Sequence, residues 1–112
     1  MSADDLSAGD YGMLLTTLPN ADAARVLARS LVEERLAACV QLAGIESFYS
    51  WEGKICNEPE TLLLIKTRSA LFDAAIARIK ALHPYSVPEI VATPFAAGFE
   101  GYFAWIAQNT GT

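Results

Sequence analysis

Basic residues are scarce in this chain. Eight Lys and Arg side chains stand against thirteen Asp and Glu, which gives a net charge of −5 at pH 7 over 112 residues. A protein that binds the phosphate backbone of nucleic acids needs a basic face, so we expect no nucleic-acid partner. Residues 1–10 are acidic and lack the basic and apolar regions of a signal peptide. We therefore predict that they form a flexible tail and that the protein is cytoplasmic.

Cysteine and histidine are equally rare, and long apolar runs are missing. Cys39 and Cys56 lie on separate segments without C-x-x-C spacing, which argues against a disulfide scaffold. His83 is the only histidine, and it has no adjacent serine or cysteine in a recognisable catalytic motif, so we expect no enzyme. No apolar stretch approaches the length of a transmembrane helix, and we expect no membrane partner.

Apolar residues, in contrast, are abundant. They make up 53% of the chain, and the mean hydropathy is +0.27. This composition predicts a single domain over residues 11–112 with one hydrophobic core. A monomer of this size leaves part of its apolar area on the surface, so we expect an oligomer that covers it.

Hydrophobic periodicity predicts the order β-α-β-β-α-β with an appended helix. Strand patterns occur at 11–18, 38–42, 45–55, 61–67 and 87–94, and helical patterns at 21–36, after Ser69 and after Gly98. Asn20 and Ser69 are predicted N-caps, and Cys56-Asn57-Glu58-Pro59 is the predicted turn of a long hairpin. The order is that of an α+β, ferredoxin-like fold. Hairpin arms that outrun a four-stranded sheet expose edges, so we expect edge pairing between subunits.

Six short motifs follow one another in the chain: Thr16-Thr17-x-Pro19, Leu36-Ala37-Ala38-Cys39-Val40, Ser47-x-Tyr49-x-Trp51-Glu52-Gly53-Lys54-Ile55, Glu60-x-Leu62-Leu63-x-Ile65-Lys66-Thr67, His83-Pro84-Tyr85-x-Val87-Pro88-Glu89-Ile90 and Tyr102-x-x-Trp105. In this order they resemble the CutA divalent-cation tolerance proteins, from about Tyr11 to Thr110. The resemblance implies a homotrimer of ferredoxin-like subunits whose long hairpins pair with neighbours. It also implies binding of copper or other divalent metal ions in the response to metal ions.

The run from His83 to Val91 is stiffened by two prolines, which fix their own φ and push the preceding residue towards extended geometry. His83 is either a metal ligand or a helix C-terminal residue that interacts with the helix dipole. One imidazole makes no chelate, so a ligand role needs groups from other segments or other chains. Cys39 is the second candidate ligand, with burial as a small apolar residue as its alternative.

Glu89 is the third candidate metal ligand, and it lies in a predicted strand of apolar residues. It either forms a cross-strand pair with Lys66, or both are polar groups in a cleft between subunits. Tyr49, Trp51 and Tyr85 are predicted cleft or interface residues, which serve either trimer packing or ligand stacking. Cys56 lies near the predicted turn and is interpreted as a free thiol.

These observations predict a trimeric divalent-cation tolerance protein that binds copper or another divalent ion. The alternative is a trimeric signal-transduction or adaptor protein that resembles the nitrogen-regulatory proteins. Such a protein binds a small ligand or a protein partner in clefts between subunits.

Overall fold

The computed structural model describes residues 7–111. It contains four strands, which are β1 (Tyr11–Leu18), β2 (Cys39–Trp51), β3 (Lys54–Arg68) and β4 (Ile90–Pro94), and three α-helices, which are α1 (Ala21–Glu33), α2 (Phe72–Leu82) and α3 (Glu100–Gln108). The strands form one antiparallel sheet in the order β2-β3-β1-β4. The predicted α+β, ferredoxin-like order with an extra C-terminal helix is confirmed.

The chain start differs in part from the predicted tail. Residues 1–6 of that tail lie outside the described residues, whereas Ala8–Asp10 form a short 3-10 helix. The Ser69 hydroxyl donates a hydrogen bond to the Gly9 carbonyl oxygen at 2.7 Å. Ser69 therefore anchors this turn and does not cap α2, which begins at Phe72 after a 3-10 turn over Ser69–Leu71.

The main core lies between one face of the sheet and helices α1 and α2. Alternate residues of β1 and β3 point into it, and they meet the apolar stripe of each helix. Its fully buried members include Leu14, Leu18, Leu31, Leu63, Ile65 and Ile79. The predicted N-cap of α1 is confirmed, since the Ala23 N–H donates to Asn20 Oδ1 at 2.8 Å. The helix ends at Glu33 and not at residue 36, because Arg35 adopts a left-handed φ of 58°.

Helix α3 packs at one end of the sheet, where Phe103 stacks on Tyr11 with ring centroids 5.0 Å apart. Two guanidinium groups bind its C-terminal end. Arg35 donates to the carbonyl oxygens of Gln108 and Gly111, both at 2.8 Å. Arg68 donates to the Ala107 carbonyl and to Thr110 Oγ1. The last carbonyls of a helix have no partner within it, so these bonds satisfy groups that would otherwise need water.

The β2–β3 hairpin is longer than predicted, and the predicted turn at Cys56–Pro59 is wrong. The turn is at Glu52 and Gly53, whose φ values of 50° and 76° match a type I′ turn. Residues 56–59 instead lie within β3, opposite residues 46–49. A proline inside a strand pattern usually argues against a strand. Here β1 pairs with β3 from Thr61 onwards. At Pro59, β3 therefore pairs with β2 alone, and its other side has no partner strand.

Strand β4 begins at Ile90, three residues later than the predicted start at Val87. Residues 83–89 form an irregular segment after α2, because Pro84 and Pro88 prevent both a continued helix and an early ladder. Glu89 therefore precedes β4 and is not a strand residue. None of the helices in residues 7–111 combines the length and the apolar character that crossing a bilayer requires.

Candidate functional site

A pocket of about 850 Å³ lies between the outer part of the β2–β3 hairpin and the segment after α2. Strand β1 contributes one residue to it, Thr17. The hairpin and the proline-rich segment contribute the others, which are Glu46, Ser47, Phe48, Tyr49, Trp51, Cys56, Glu58, Glu60, Pro84, Tyr85, Ser86, Val87 and Glu89. We call this cavity the hairpin pocket.

The hairpin pocket is acidic. Four of its lining residues are glutamates, and none of them is a lysine, arginine or histidine. A cleft lined by charge of one sign concentrates the potential of that sign, so this pocket attracts cations and repels phosphates and carboxylates.

Two tyrosines hold two of these carboxylates in place. The Tyr85 hydroxyl donates to Glu60 Oε2, and the Tyr49 hydroxyl donates to Glu58 Oε1, both at 2.9 Å. Burial, together with the bond to Glu60, raises the pKa of Tyr85. The bond to Glu58 raises the pKa of Tyr49 to about 12. Both phenols are therefore protonated donors at neutral pH, and the carboxylates are acceptors.

His83 lies behind the pocket, at the C-terminal end of α2. Its Nε2 is 2.8 Å from the Thr17 carbonyl oxygen, so Nε2 carries the proton and donates it. Its Nδ1 accepts the Tyr85 backbone N–H at 3.1 Å. Burial lowers the pKa of this imidazole. His83 thus fixes Tyr85 against β1, and coordination of a metal by either ring nitrogen requires one of these hydrogen bonds to break.

The structure does not bring the three predicted metal ligands together. Glu89 lines the hairpin pocket, whereas Cys39 lies at the start of β2, opposite Lys66. Burial and the neighbouring Cys39 raise the pKa of Tyr102 of α3, which places this thiol beside that helix. Within residues 7–111, no group of three or more His, Cys, Asp or Glu side chains is close enough to hold a metal ion.

Of the two alternatives for Lys66 and Glu89, the structure excludes the cross-strand pair. Lys66 pairs with Met13 across β1 and donates to Gln41 Oε1 of β2. Glu89 lies beyond the other side of β1, next to Ile90, which pairs with Thr16. The two residues flank β1 on opposite sides because β4 joins the sheet beside β1 and not beside β3.

Tyr49, Trp51 and Tyr85 all line the hairpin pocket, whereas Lys66 does not. Sequence reasoning missed the three hairpin glutamates Glu46, Glu58 and Glu60, together with Thr17 and Cys56 as pocket residues. The available signal was the period-2 spacing of Glu58 and Glu60, which is typical of one face of a strand. Reading Cys56–Pro59 as a turn concealed this signal.

Comparison with known proteins decides the family. The sequence pattern of the CutA1 divalent ion tolerance proteins matches residues 12–109, which is most of the chain. The chain belongs to the CutA1 family. A divalent-cation tolerance protein CutA from Thermus thermophilus is 49% identical over 100 residues, which cover 88% of this chain and 97% of that protein.

Solved CutA1 structures have the same fold. The Thermus thermophilus structure has a TM-score of 0.86 at 48% identity and covers 90% of this chain and 99% of its own. The structure from Oryza sativa has a TM-score of 0.87 at 44% identity, with 90% and 94% covered. The periplasmic CutA from Archaeoglobus fulgidus has a TM-score of 0.86 at 36% identity, with 88% and 97% covered.

The family implies a divalent metal ion. The hairpin pocket offers suitable types of ligand atom for such an ion, but too few of them converge in one chain. Carboxylate oxygens suit hard divalent cations, and the Cys56 thiol suits softer ones. Yet the described residues of one chain contain no convergent set of three such ligands. A complete ligand set therefore needs donors from outside the single chain or from water.

Proposed function

We propose that this CutA1-family protein binds divalent metal ions at the hairpin pocket, as part of the response to metal ions. The observation that carries the proposal is the presence of four glutamates with no basic residue among the lining residues. Two of these carboxylates are already oriented by tyrosine hydroxyls, which leaves the other oxygen of each free to bind a cation.

We further propose that the protein acts as a homotrimer. Alternation along the strands places Leu15, Leu62 and Leu64 on the sheet face opposite α1 and α2, and Val91 on that face is 50% exposed. An open, apolar sheet face of this kind favours burial against other copies. A second copy can also supply the donors that the pocket of one chain lacks. Light scattering should then give a mass three times the 12.1 kDa of one chain.

Copper is the metal that we propose to test first, because Cys56 lies in the pocket and His83 lies next to it.

We propose a non-catalytic role in the cytoplasm. Fractionation of the native host with an antibody against the protein tests the location, and recovery from the periplasmic fraction would contradict it.

Equilibrium dialysis against Cu(II) and Mn(II) tests the metal site. The double variant Glu58→Gln/Glu60→Gln removes two charges from the pocket, and we expect affinity to fall by at least about tenfold, or about 1.4 kcal/mol. The matched control is Asp22→Asn/Glu33→Gln, which removes two charges from exposed ion pairs of α1. Equal losses in both variants would mean that binding reflects net charge alone.

His83→Ala and Cys39→Ala complete the dialysis series. Unchanged Cu(II) affinity and stoichiometry in a variant would remove that residue from the ligand set. Because His83 fixes Tyr85, a loss in His83→Ala is assigned to coordination only if the copper absorption spectrum of the bound state also changes.

The size of the pocket favours a second candidate function. About 850 Å³ is far more than a bare ion needs and is within the range of small-molecule sites. A signal-transduction or adaptor protein that binds a small ligand here would show a ligand-dependent rise in melting temperature.

A further inference from the structure

We propose that Lys66 of each copy forms an ion pair with Glu60 of a neighbouring copy in the homotrimer. The inference rests on the homotrimer proposed above and names a contact between its subunits. It corresponds to the alternative that the structure leaves for Lys66, a polar group in a cleft between subunits. Three features support it: the face on which both residues lie, their lack of charged partners within residues 7–111, and the order of charges along β3.

Glu60 and Lys66 lie on the face of the sheet that is opposite α1 and α2. Leu63 and Ile65 of β3 are buried in the main core, and successive side chains of a strand point to opposite faces. Each charged residue is an odd number of positions from these two, so both face the surface that we propose to be covered by other copies. A charge that a second copy covers loses its contact with water and needs an opposite charge nearby.

Neither residue has a charged partner within residues 7–111. The ion pairs in that range join other residues, which are Asp22 with Arg25, Glu33 with Arg29 and Glu34 with Arg78. The Lys66 ammonium donates a hydrogen bond to Gln41 Oε1, and Glu60 Oε2 accepts one from the Tyr85 hydroxyl. Both of these partners are neutral, and both charged residues are only partly exposed. The other oxygen of Glu60 and the remaining ammonium protons of Lys66 are therefore available to each other's kind.

The two residues cannot reach each other within one chain. They are six positions apart in β3, which pairs with β2 without interruption from Lys54 to Lys66. At about 3.3 Å per residue their backbone positions are about 20 Å apart, more than the two extended side chains can bridge. An ion pair requires nitrogen and oxygen atoms within about 4 Å of each other. A pair between Lys66 and Glu60 is therefore a contact between copies.

The order of charges along β3 suits a closed ring of subunits. From Glu58 onwards, the residues of β3 on this face are Glu58, Glu60, Leu62, Leu64 and Lys66. In a cyclic trimer, one patch of each subunit contacts a different patch of the next. Acidic residues and a lysine at opposite ends of a leucine surface form two such patches, and their opposite charges fix how neighbouring copies align. Glu58 and Glu89 remain available in the pocket to a divalent ion.

Exchange of the two charges tests the pair in the full-length protein. Light scattering along a urea series gives the urea concentration at which half of the trimer has dissociated. Lys66→Glu and Glu60→Lys each place like charges together, and each should lower this midpoint by at least about 1 M. The double variant Lys66→Glu/Glu60→Lys restores opposite charges and should return the midpoint to within about 0.3 M of that of the parent chain. A double variant that is no more stable than the single variants would overturn the proposal.

Neutral variants keep the test valid if a reversed charge prevents folding. Lys66→Gln and Glu60→Gln should each lower the midpoint, and the double variant should lower it by less than the sum, because residues in contact are not additive. The matched controls are Lys80→Gln on α2 and Glu33→Gln on α1, which remove the same charges from exposed positions. Both controls should leave the midpoint unchanged. Additive losses, or losses as large in the controls, would contradict the pair.

Carbodiimide cross-linking identifies the partner of Lys66 directly, because this reagent joins an amine and a carboxylate as an amide only where they are in contact. Isotope-labelled and unlabelled chains are refolded together from urea, cross-linked and digested. Mass spectrometry should find Lys66 joined to Glu60 in pairs of mixed label. Amides that join Lys66 only to other carboxylates would overturn the choice of Glu60.

The same measurements separate this proposal from the homotrimer on which it rests. A parent chain with the mass of one or two subunits overturns the homotrimer. A parent trimer whose midpoint is the same in all variants of Lys66 and Glu60 overturns the ion pair alone.

Discussion

The two halves of the long sheet differ in almost every physical respect. The anchored half consists of β1, β4, the start of β2 and β3 from Thr61 onwards, and it carries all three helices. The projecting half is the hairpin over residues 45–60, where β2 and β3 have only each other as partners. Most of the fully buried side chains lie in the anchored half and its helices, whereas no residue of the projecting half is buried.

This difference places the burial that stabilises the fold in one half and the proposed binding site in the other. Burial of apolar surface stabilises the anchored half, because its leucines and isoleucines are removed from water. The projecting half exposes Phe48, Trp51 and Ile55 together with its glutamates, which gains nothing for the fold of one chain. Exposed apolar side chains beside a concave acidic surface are typical of a site that binds something.

The strongest test of this comparison removes similar side chains from the two halves. Leu14→Ala in the core should lower the free energy of unfolding by about 3 kcal/mol, since it leaves a cavity. Ile55→Ala should cost less than about 0.5 kcal/mol, because Ile55 is 86% exposed. Urea unfolding measures both. Equal costs would show that another chain covers the projecting half.

The attachment of α3 to the anchored half provides the next test. Arg68→Ala removes hydrogen bonds to Ala107 and Thr110 and should cost about 2 kcal/mol, because partly buried acceptors lose a charged donor. The control Arg25→Ala breaks an exposed ion pair with Asp22 and should cost less than about 0.5 kcal/mol. Hydrogen exchange should show faster exchange in α3 for Arg68→Ala alone. Unchanged exchange there would contradict the anchoring role.

The hairpin turn tests the projecting half itself. Gly53→Ala places a side chain at φ 76° and should cost about 1 kcal/mol. Gly44→Ala is the matched control, because a Cβ at Gly44 meets no atom within 4 Å and its φ is not positive. Differential scanning calorimetry compares the two. A loss as large in Gly44→Ala would mean that the hairpin, and not its turn, resists substitution.

The smallest expected effect concerns pH at the junction of the two halves. Burial lowers the pKa of His83 in the folded protein below its unfolded value of about 6.5. The unfolded chain therefore binds the proton more tightly, so this contribution to stability is complete above that unfolded value and is lost as pH falls below it.

Unfolding at pH 8 and pH 5 should thus show a larger loss for the parent chain than for His83→Gln. The chain has one histidine, so its imidazole proton resonances report this group alone. A titration midpoint above 6.5 would contradict the sign of the effect.

Local sequence patterns predicted the anchored half well. The strand over 11–18, the N-cap at Asn20 and the core stripe Ala24, Leu27 and Leu31 follow from periodicity and capping chemistry, which act over a few residues. The projecting half was predicted less well. Pro59 resembles a turn residue. A strand accepts it because the pairing of β3 with β1 begins only at Thr61, so β3 has no partner on that side at Pro59.

The same contrast applies to the candidate site. Tyr49, Trp51, Tyr85 and Glu89 were chosen from their chemistry, and all four line the hairpin pocket. The sequence did not predict Glu58 and Glu60 as pocket residues, because they line the pocket only when β3 extends through residues 56–59. The hydrogen bonds of His83 to Thr17 and Tyr85 join elements that no local pattern brings together, since Thr17 lies far from His83 in sequence.

The sequence by itself determined the order of strands and helices, the apolar content that requires a core, and the family. These properties arise from neighbouring residues, whose periodicity and turn chemistry act locally. Only the tertiary structure decided that β4 lies beside β1, that Lys66 and Glu89 are on opposite sides of that strand, and that four glutamates are among the residues that line one pocket. Such arrangements depend on strand register and long-range packing, in which each position is fixed by partners distant in the chain.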